Sequence, residues 1–314
     1  MSIQHVTVIG CGVLGSQIAY QSAYKGFDVT VYLRSAVSVE RAHPKLDRLH
    51  RIYLEELHAA KNGGPVCDGL VPDMNDPASA DYNALIEKAD NAYTQLRLVT
   101  DLAEAVRDAD LVIEALAENL QQKLDFFTQM APLLPEKTIV ATNSSTLLPS
   151  AMADATGRPE NFLALHFANN IWKQNIAEIM GHDRTDPAAY DAVAQFAEDI
   201  GMVPMKLHKE KAGYIINSLL VPLLSAAQGL LVDGIADVPT IDKTWMMATC
   251  APLGPFRLLD IVGLTTAYNV CMNHEDTHTD PTCMHARLAK LLKEEYLDKG
   301  KLGVIAGEGF YKYD

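Results

Sequence analysis

The feature that most constrains this chain is Gly10-Cys11-Gly12-Val13-Leu14-Gly15, a GxGxxG pattern lying between an apolar run at residues 5–9 and a helical pattern at 16–25. With 19 glycines in the chain the pattern alone is weak, and its place between a strand and a helix gives it weight. The three glycines do different things. Gly10 permits a tight turn, Gly12 lets backbone approach a pyrophosphate, and Gly15 lets helix and strand pack closely. The free amides and dipole of the helix start favour phosphate. The turn from Gly10 through Gly12, Val13, Leu14 and Gly15 is therefore the expected dinucleotide cradle.

The chain beyond this turn keeps the rhythm of such a fold. Residues 29–33, 111–115, 138–142, 162–167, 176–180 and 203–207 read as strands, with helices at 121–134 and after Asp186-Pro187, where Asp caps and Pro takes the first helical position. About 60 polar, largely helical residues, broken at Asn62-Gly63-Gly64-Pro65 and Asp76-Pro77, separate the second strand from the rest. Beyond Lys209 only apolar helical stretches remain. The reading is an α/β Rossmann-type doubly wound sheet over 1–208, followed by an all-α domain over 209–314 for substrate and dimerisation.

The 314 residues, 48% of them hydrophobic, suffice for two cores. A net charge of −14 disfavours nonspecific binding to nucleic acid or anionic membrane, both polyanions, so an anionic ligand must be held by a few local donors. Five scattered cysteines without a CxxC pair read as reduced thiols, and no secretory leader or apolar membrane span is visible. The expected location is cytoplasmic.

The end of the second strand usually decides the cofactor. An acidic residue there binds the adenosine ribose hydroxyls and repels a 2′-phosphate. Here it is Leu33, followed by Arg34 and Ser35, which suit the extra phosphate of NADP, with NAD still possible.

Two polar concentrations carry chemistry. Asn143-Ser144-Ser145-Thr146 ends a strand, where parallel sheets bind ligands. His166 ends the apolar run at 162–167, and Glu178 lies inside the next one, where a core carboxylate needs a partner. Such a pair suits proton transfer, because the carboxylate orients the imidazole and stabilises its protonated form. A structural ion pair is the alternative.

In order and spacing, Ser145, His166, Glu178 and Asn217 resemble the 3-hydroxyacyl-CoA dehydrogenase family. The resemblance spans nearly the whole chain, through Val112-Ile113-Glu114-Ala115, Glu118-Asn119-Leu120, Gly213-Tyr214, Pro252-Leu253-Gly254-Pro255-Phe256, Leu259-Asp260 and Gly307-Glu308-Gly309-Phe310-Tyr311. It implies a nicotinamide-dependent oxidoreductase acting on a 3-hydroxyacyl or 3-oxoacyl substrate, most simply a CoA thioester, and a homodimer. By the same resemblance His166 is the acid/base and Glu178 orients it. Ser145 and Asn217 bind the reacting oxygen or thioester carbonyl, Glu118, Lys123 and Asn143 lie by the nicotinamide ribose and ring, and Ala115 is a further cofactor-binding residue.

The departures are Leu33, the run Phe167-Ala168-Asn169-Asn170-Ile171-Trp172 in place of Phe-Phe-Asn-Pro, Ala212-Gly213-Tyr214 in place of Pro-Gly-Phe, and a longer helical segment after the second strand. The loop after His166 is expected to border the substrate, with Trp172 bearing on acyl specificity. That segment carries Arg41, Lys45, Arg48, Arg51 and Lys61, and no CoA contact is assigned to it. A free 3-hydroxy acid or β-dicarbonyl substrate, as in an L-gulonate dehydrogenase-like enzyme, is the alternative, and a non-catalytic dinucleotide-binding protein is a third. His274, Asp276, His278, Cys283 and His285 show no tetrahedral ligand spacing and read as a solvated loop, so no metal is expected.

Overall fold

Alternating β-branched runs and helical patterns form, in the computed structural model describing residues 3–73 and 75–313, one eight-stranded sheet followed by a helical array. The chain divides into two compact units, Met1–Ile215 and Ile216–Asp314.

The first unit contains β1 (His5–Ile9), α1 (Val13–Tyr24), β2 (Asp28–Tyr32), α2 (Ala36–Lys61), α3 (Tyr82–Gln95), β3 (Arg97–Val99), α4 (Leu102–Val106) and β4 (Leu111–Glu114). It continues with α5 (Leu120–Met130), β5 (Ile139–Thr142), β6 (Phe162–Phe167), β7 (Ile176–Met180), α6 (Pro187–Asp199) and β8 (Val203–Leu207). The strand order is β3-β2-β1-β4-β5-β6-β7-β8. The first six strands are parallel in the 3-2-1-4-5-6 order of a dinucleotide-binding sheet. β7 turns back antiparallel to β6, and β8 then runs parallel to β7. The sheet is therefore mixed, where strand–helix alternation alone suggests a parallel one. The short β6–β7 connection leaves no room for a crossover helix.

Three local readings shift. The first helix begins at Val13 rather than residue 16, directly on Gly12. β3 lies within the segment read as helical, and three residues at a sheet edge give too little alternation to detect. Residues 209–215 stay with the sheet unit, since the Lys211 amide donates to the Met180 sulfur and the Ile215 amide to Glu178.

Successive strand residues face opposite sides, and both sides are covered. Val8, Ile113, Ala141 and Leu163 face α1 and α2, while Ile9, Val112, Val140 and Phe162 pack with Phe127 and Met130 of α5. Each large buried side chain contributes roughly 1.5–3 kcal/mol by leaving water.

The second unit contains α7 (Ile216–Val232), α8 (Val238–Thr249), α9 (Pro255–Val262), α10 (Leu264–Met272), α11 (Asp276–Thr279) and α12 (Met284–Glu295). Its core gathers Leu224, Phe256, Leu259, Leu264, Leu288 and Leu292. Two buried carboxylates organise it. Asp260 accepts from the amides of Phe310 and Tyr311 and the hydroxyl of Tyr313, and Asp242 from the amides of Phe256 and Arg257 and the hydroxyl of Tyr311. A Cβ on Gly309 would lie 2.0 Å from Asp260 Oδ1, so the C-terminal motif closes this knot. No helix among the described residues is long and apolar enough to cross a membrane.

Candidate active site and dinucleotide cleft

The glycine turn has the geometry its chemistry requires. Gly10 sits at φ +94° with its amide bonded to the Tyr32 carbonyl, and an added Cβ would meet the Ala115 carbonyl oxygen at 3.1 Å. A Cβ on Gly15 would lie 2.3 Å from the Gly10 oxygen, closer than any real contact allows. On Gly12 it would meet nothing within 4 Å, because that position faces open space. Gly12 caps α1 without a side-chain hydrogen bond, so the helix start is presented to whatever occupies the opening.

Two adjoining cavities run along this edge. One, of about 700 Å³, is lined by Gly10, Cys11, Gly12, Leu33, Arg34, Ser38, Arg41, Lys45 and Ala115 among others. The second, of about 570 Å³, is lined by Gly12, Val13, Leu14, Gly15, Ala115, Glu118, Asn143, Ser145 and Asn169 among others. Their continuity past the open face of Gly12 fits a dinucleotide lying across the sheet's carboxyl edge, its adenosine end by Arg34 and its nicotinamide end by Asn143.

At the adenosine end, Leu33 is buried and Arg34 lines the cleft. Ser35 does something else: its hydroxyl caps α2, accepting from the Ser38 amide at 3.3 Å. The cleft receives Ser38, Arg41 and Lys45 instead, three positions on one face of α2. The Lys45 ammonium donates to the Cys11 carbonyl at 2.7 Å. Burial pushes the Cys11 thiol up to about 11 against the opposing pull of Lys45, so it is no reactive thiolate. The spacing of Ser38, Arg41 and Lys45 from the end of β2 could have identified them. A basic helix face is usually a solvated one, which hid the signal.

At the other end a chain of carboxylates ties the strand ends together. Glu114 is fully buried and pairs with buried Lys123 at 2.5 Å, while its other oxygen accepts from Thr142. Lys123 is thus an interior cation, 3.8 Å from Glu118, and it does not line either cavity as the resemblance implied. Glu118 accepts from the Ser144 hydroxyl at 2.6 Å and from the amide and hydroxyl of Thr146 at 2.8 and 2.7 Å. Partial burial pushes the Glu118 carboxyl up, but these hydrogen bonds and Lys123 outweigh it and hold the group below its ordinary value. Asn143 Oδ1 accepts from the Phe167 amide, fixing the strand ends of β5 and β6 together.

His166 and Glu178 are register partners on β6 and β7, so the hairpin sets them side by side on one face. Nδ1 of His166 meets Glu178 Oε2 at 3.0 Å, and Nε2 meets the Ser145 hydroxyl at 3.1 Å. The Ile215 amide donates to the other Glu178 oxygen at 2.8 Å. Both members of the pair are buried.

A residue that sequence reading treated only as a departure completes the arrangement. The Tyr214 ring stacks on His166 with centroids 4.4 Å apart and 13° between planes, and its hydroxyl donates to the Ser144 carbonyl at 2.8 Å. Its φ of +51° places a bulky side chain in the left-handed region, a strain the contacts must hold. Burial raises its phenol well above the ordinary value, so it stays a proton donor to Ser144.

Two other expectations change place. Trp172 turns into the core, 4% exposed and packed on Tyr53, and does not line the cavities, while Asn169 does. Asn170, at φ +60°, anchors the loop by donating its amide to Gln17. Asn217 lies in the first turn of α7, in the other compact unit.

Family models and known proteins resemble the chain over nearly its whole length. A model described as the NAD binding domain of 3-hydroxyacyl-CoA dehydrogenase matches residues 5–211, and one for the C-terminal domain of the same enzymes matches 213–313. The mitochondrial hydroxyacyl-coenzyme A dehydrogenase of Homo sapiens is 31% identical over 99% of this chain and 91% of its own. A probable 3-hydroxybutyryl-CoA dehydrogenase of Bacillus subtilis is 28% identical over 100% and 99%. A solved structure of a diketoreductase acting on dicarbonyl compounds is 50% identical, covers both chains fully and gives a TM-score of 0.86.

Proposed function

This chain belongs to the 3-hydroxyacyl-CoA dehydrogenase family, and on that premise we propose that it reduces the 3-oxo group of a β-dicarbonyl compound with His166 as proton donor. It is an oxidoreductase of that type and uses a nicotinamide cofactor. The observation that carries the proposal is the continuous line Ser145–His166–Glu178 beside the cavity formed by Gly12, Asn143 and Asn169.

A nicotinamide held along this cleft would supply a hydride to substrate C3, or accept one in the reverse direction. The oxygen left with the new electron pair then needs a proton, and we assign its donation to His166 Nε2. Glu178 holds Nδ1, which keeps Nε2 aimed outward and stabilises the charged ring, while the Ile215 amide holds Glu178. Ser145, already bonded to Nε2, marks where the substrate oxygen enters and donates to it as charge develops. Asn217 is assigned the neighbouring acyl carbonyl by family resemblance.

The two substrate readings differ only at the acyl end. A CoA thioester is what the family names imply. The 50% identity to the diketoreductase, against 31% to the human enzyme, favours an acyl end without CoA. For the cofactor we favour NADPH. Buried Leu33 offers no carboxylate to the adenosine ribose, and Arg34, Ser38 and Arg41 line the cleft where a 2′-phosphate would sit. A homodimer and a cytoplasmic location complete the proposal.

The test is nicotinamide absorbance with purified protein, acetoacetyl-CoA and ethyl acetoacetate as matched substrates, and NADPH and NADH in parallel. Faster turnover of the ester with NADPH supports the full reading, and faster turnover of the thioester replaces its substrate half. Preference for NADH would refute the role of the Arg34 end. Unchanged activity in His166→Ala would refute the proton-transfer role.

A further inference from the structure

The helical unit contains a convergence of donors that the oxidoreductase site does not use. His274 follows the end of α10, Asp276 opens α11, Cys283 caps α12, and His285 lies in that helix's first turn. Eleven positions of chain separate the two histidines, yet their rings stack with centroids 3.7 Å apart and 8° between planes. His285 Nδ1 lies 3.3 Å from Asp276 Oδ2. One ligand atom from each of His274, Asp276 and His285 lies within 4.8 Å of the others. Cys283 stands two positions before His285, and its sulfur accepts from the Ala286 amide.

We propose that His274, Asp276 and His285 form a binding site for a zinc-class divalent cation that pins the connection between α10 and α12, water completing its shell. The donor chemistry selects the class. Two imidazoles and a carboxylate suit Zn²⁺ or a neighbouring late transition metal, whereas Mg²⁺ and Ca²⁺ take oxygen shells. Coordination requires the stacked rings to part and one of them to turn, because parallel imidazoles aim their in-plane lone pairs side by side and not at one point. Bonds of roughly 2.0–2.3 Å put donor atoms about 3.3–3.8 Å apart, so closing from the observed spread takes side-chain rotations of about an ångström. His274 and Asp276 are exposed and His285 half-buried, so such rotations meet little resistance.

The surrounding chain is arranged to present these donors. Cys271 and Met272, at the end of α10, accept from the Thr277 hydroxyl and the His278 ring, and the Cys283 amide donates to the Asp280 carbonyl. His278, the remaining histidine of the segment, is occupied by the Met272 carbonyl at 2.8 Å and stands outside the set. The sequence hid this because His274, Asp276 and His285 follow no standard ligand spacing, and the turn of α11 brings them together.

The experiment uses the full chain, stripped with chelator and then titrated with Zn²⁺ against a competing chromophoric chelator. The expected result is one equivalent per chain with micromolar or tighter affinity, and a higher thermal midpoint in its presence. His274→Gln and His285→Gln should each weaken binding by about tenfold or more, and His278→Gln not at all. The same variants without metal should keep the wild-type thermal midpoint, which separates lost binding from lost fold. No saturable equivalent, an equivalent unaffected by both His274→Gln and His285→Gln, or one abolished by substituting the exposed Cys250 elsewhere in this unit would overturn the assignment.

Discussion

The acid/base proposal rests on how few atoms have a choice. Glu178 has one oxygen on the imidazole and the other on a backbone amide, so the carboxylate cannot rotate away from His166. Glu178→Gln keeps the shape and removes the charge. We expect kcat to fall about 10- to 100-fold with nucleotide affinity unchanged, and an unaltered kcat would reduce the pair to a structural contact. Glu118 gives a pH prediction. Its folded carboxyl sits below the ordinary 4.5, so the carboxylate form is the stabilised one. That stability is present above the unfolded value and is lost as pH falls through the lowered folded one. Thermal midpoints of the wild type and Glu118→Gln should therefore differ at neutral pH and converge as pH falls below the lowered folded value. A constant gap would show that Glu118 acts through shape alone. Of these residues, His166 and Glu178 stood out in the sequence because polar groups in apolar strands need partners, and Ser145 because it belongs to a polar run at a strand end. Tyr214 did not, since an aromatic beside glycine reads as core until its stacking partner is known.

At the scale of elements, β6 and β7 were legible to the residue, and the antiparallel register that joins His166 to Glu178 follows from their short connection. The edge strand β3 was not legible, and neither was the division of labour in α2, where Ser35 caps the helix and Ser38 faces the cleft. The turn between β1 and α1 was legible glycine by glycine, and it separates two kinds of damage. In Gly15→Ala the new methyl would lie 2.3 Å from the Gly10 oxygen, so turn and helix must part. A loss of about 2–4 kcal/mol in stability is expected, along with weakened nucleotide binding. In Gly12→Ala the methyl enters open space, so denaturant unfolding should stay near wild type while nucleotide affinity drops at least tenfold. Equal nucleotide affinity in Gly12→Ala would show that the open face of this turn is not where the pyrophosphate lies.

At the scale of the whole molecule, the two units have separate cores, and the helical one leaves large apolar side chains in water. Leu219 of α7 is 69% exposed, Ile235 68% and Met247 of α8 73%. Scattered exposed apolar groups are ordinary on a monomer, but such a concentration in one unit of a chain carrying −14 is costly unless covered. The homodimer we propose would cover it, and the charge decides how that association must behave. Two chains of this sign repel at long range, so the attraction has to come from apolar burial. Added salt screens the repulsion and leaves burial intact, so dimerisation should tighten from low to moderate salt, the reverse of an interface built on ion pairs. Sedimentation velocity across a concentration series at two ionic strengths measures this directly. A Leu219→Glu, Met247→Glu double variant should shift the species toward monomer while nucleotide binding in the sheet unit persists. A wild-type chain that stays monomeric throughout, or a dimer that loosens with salt, would remove the apolar face as the reason for association.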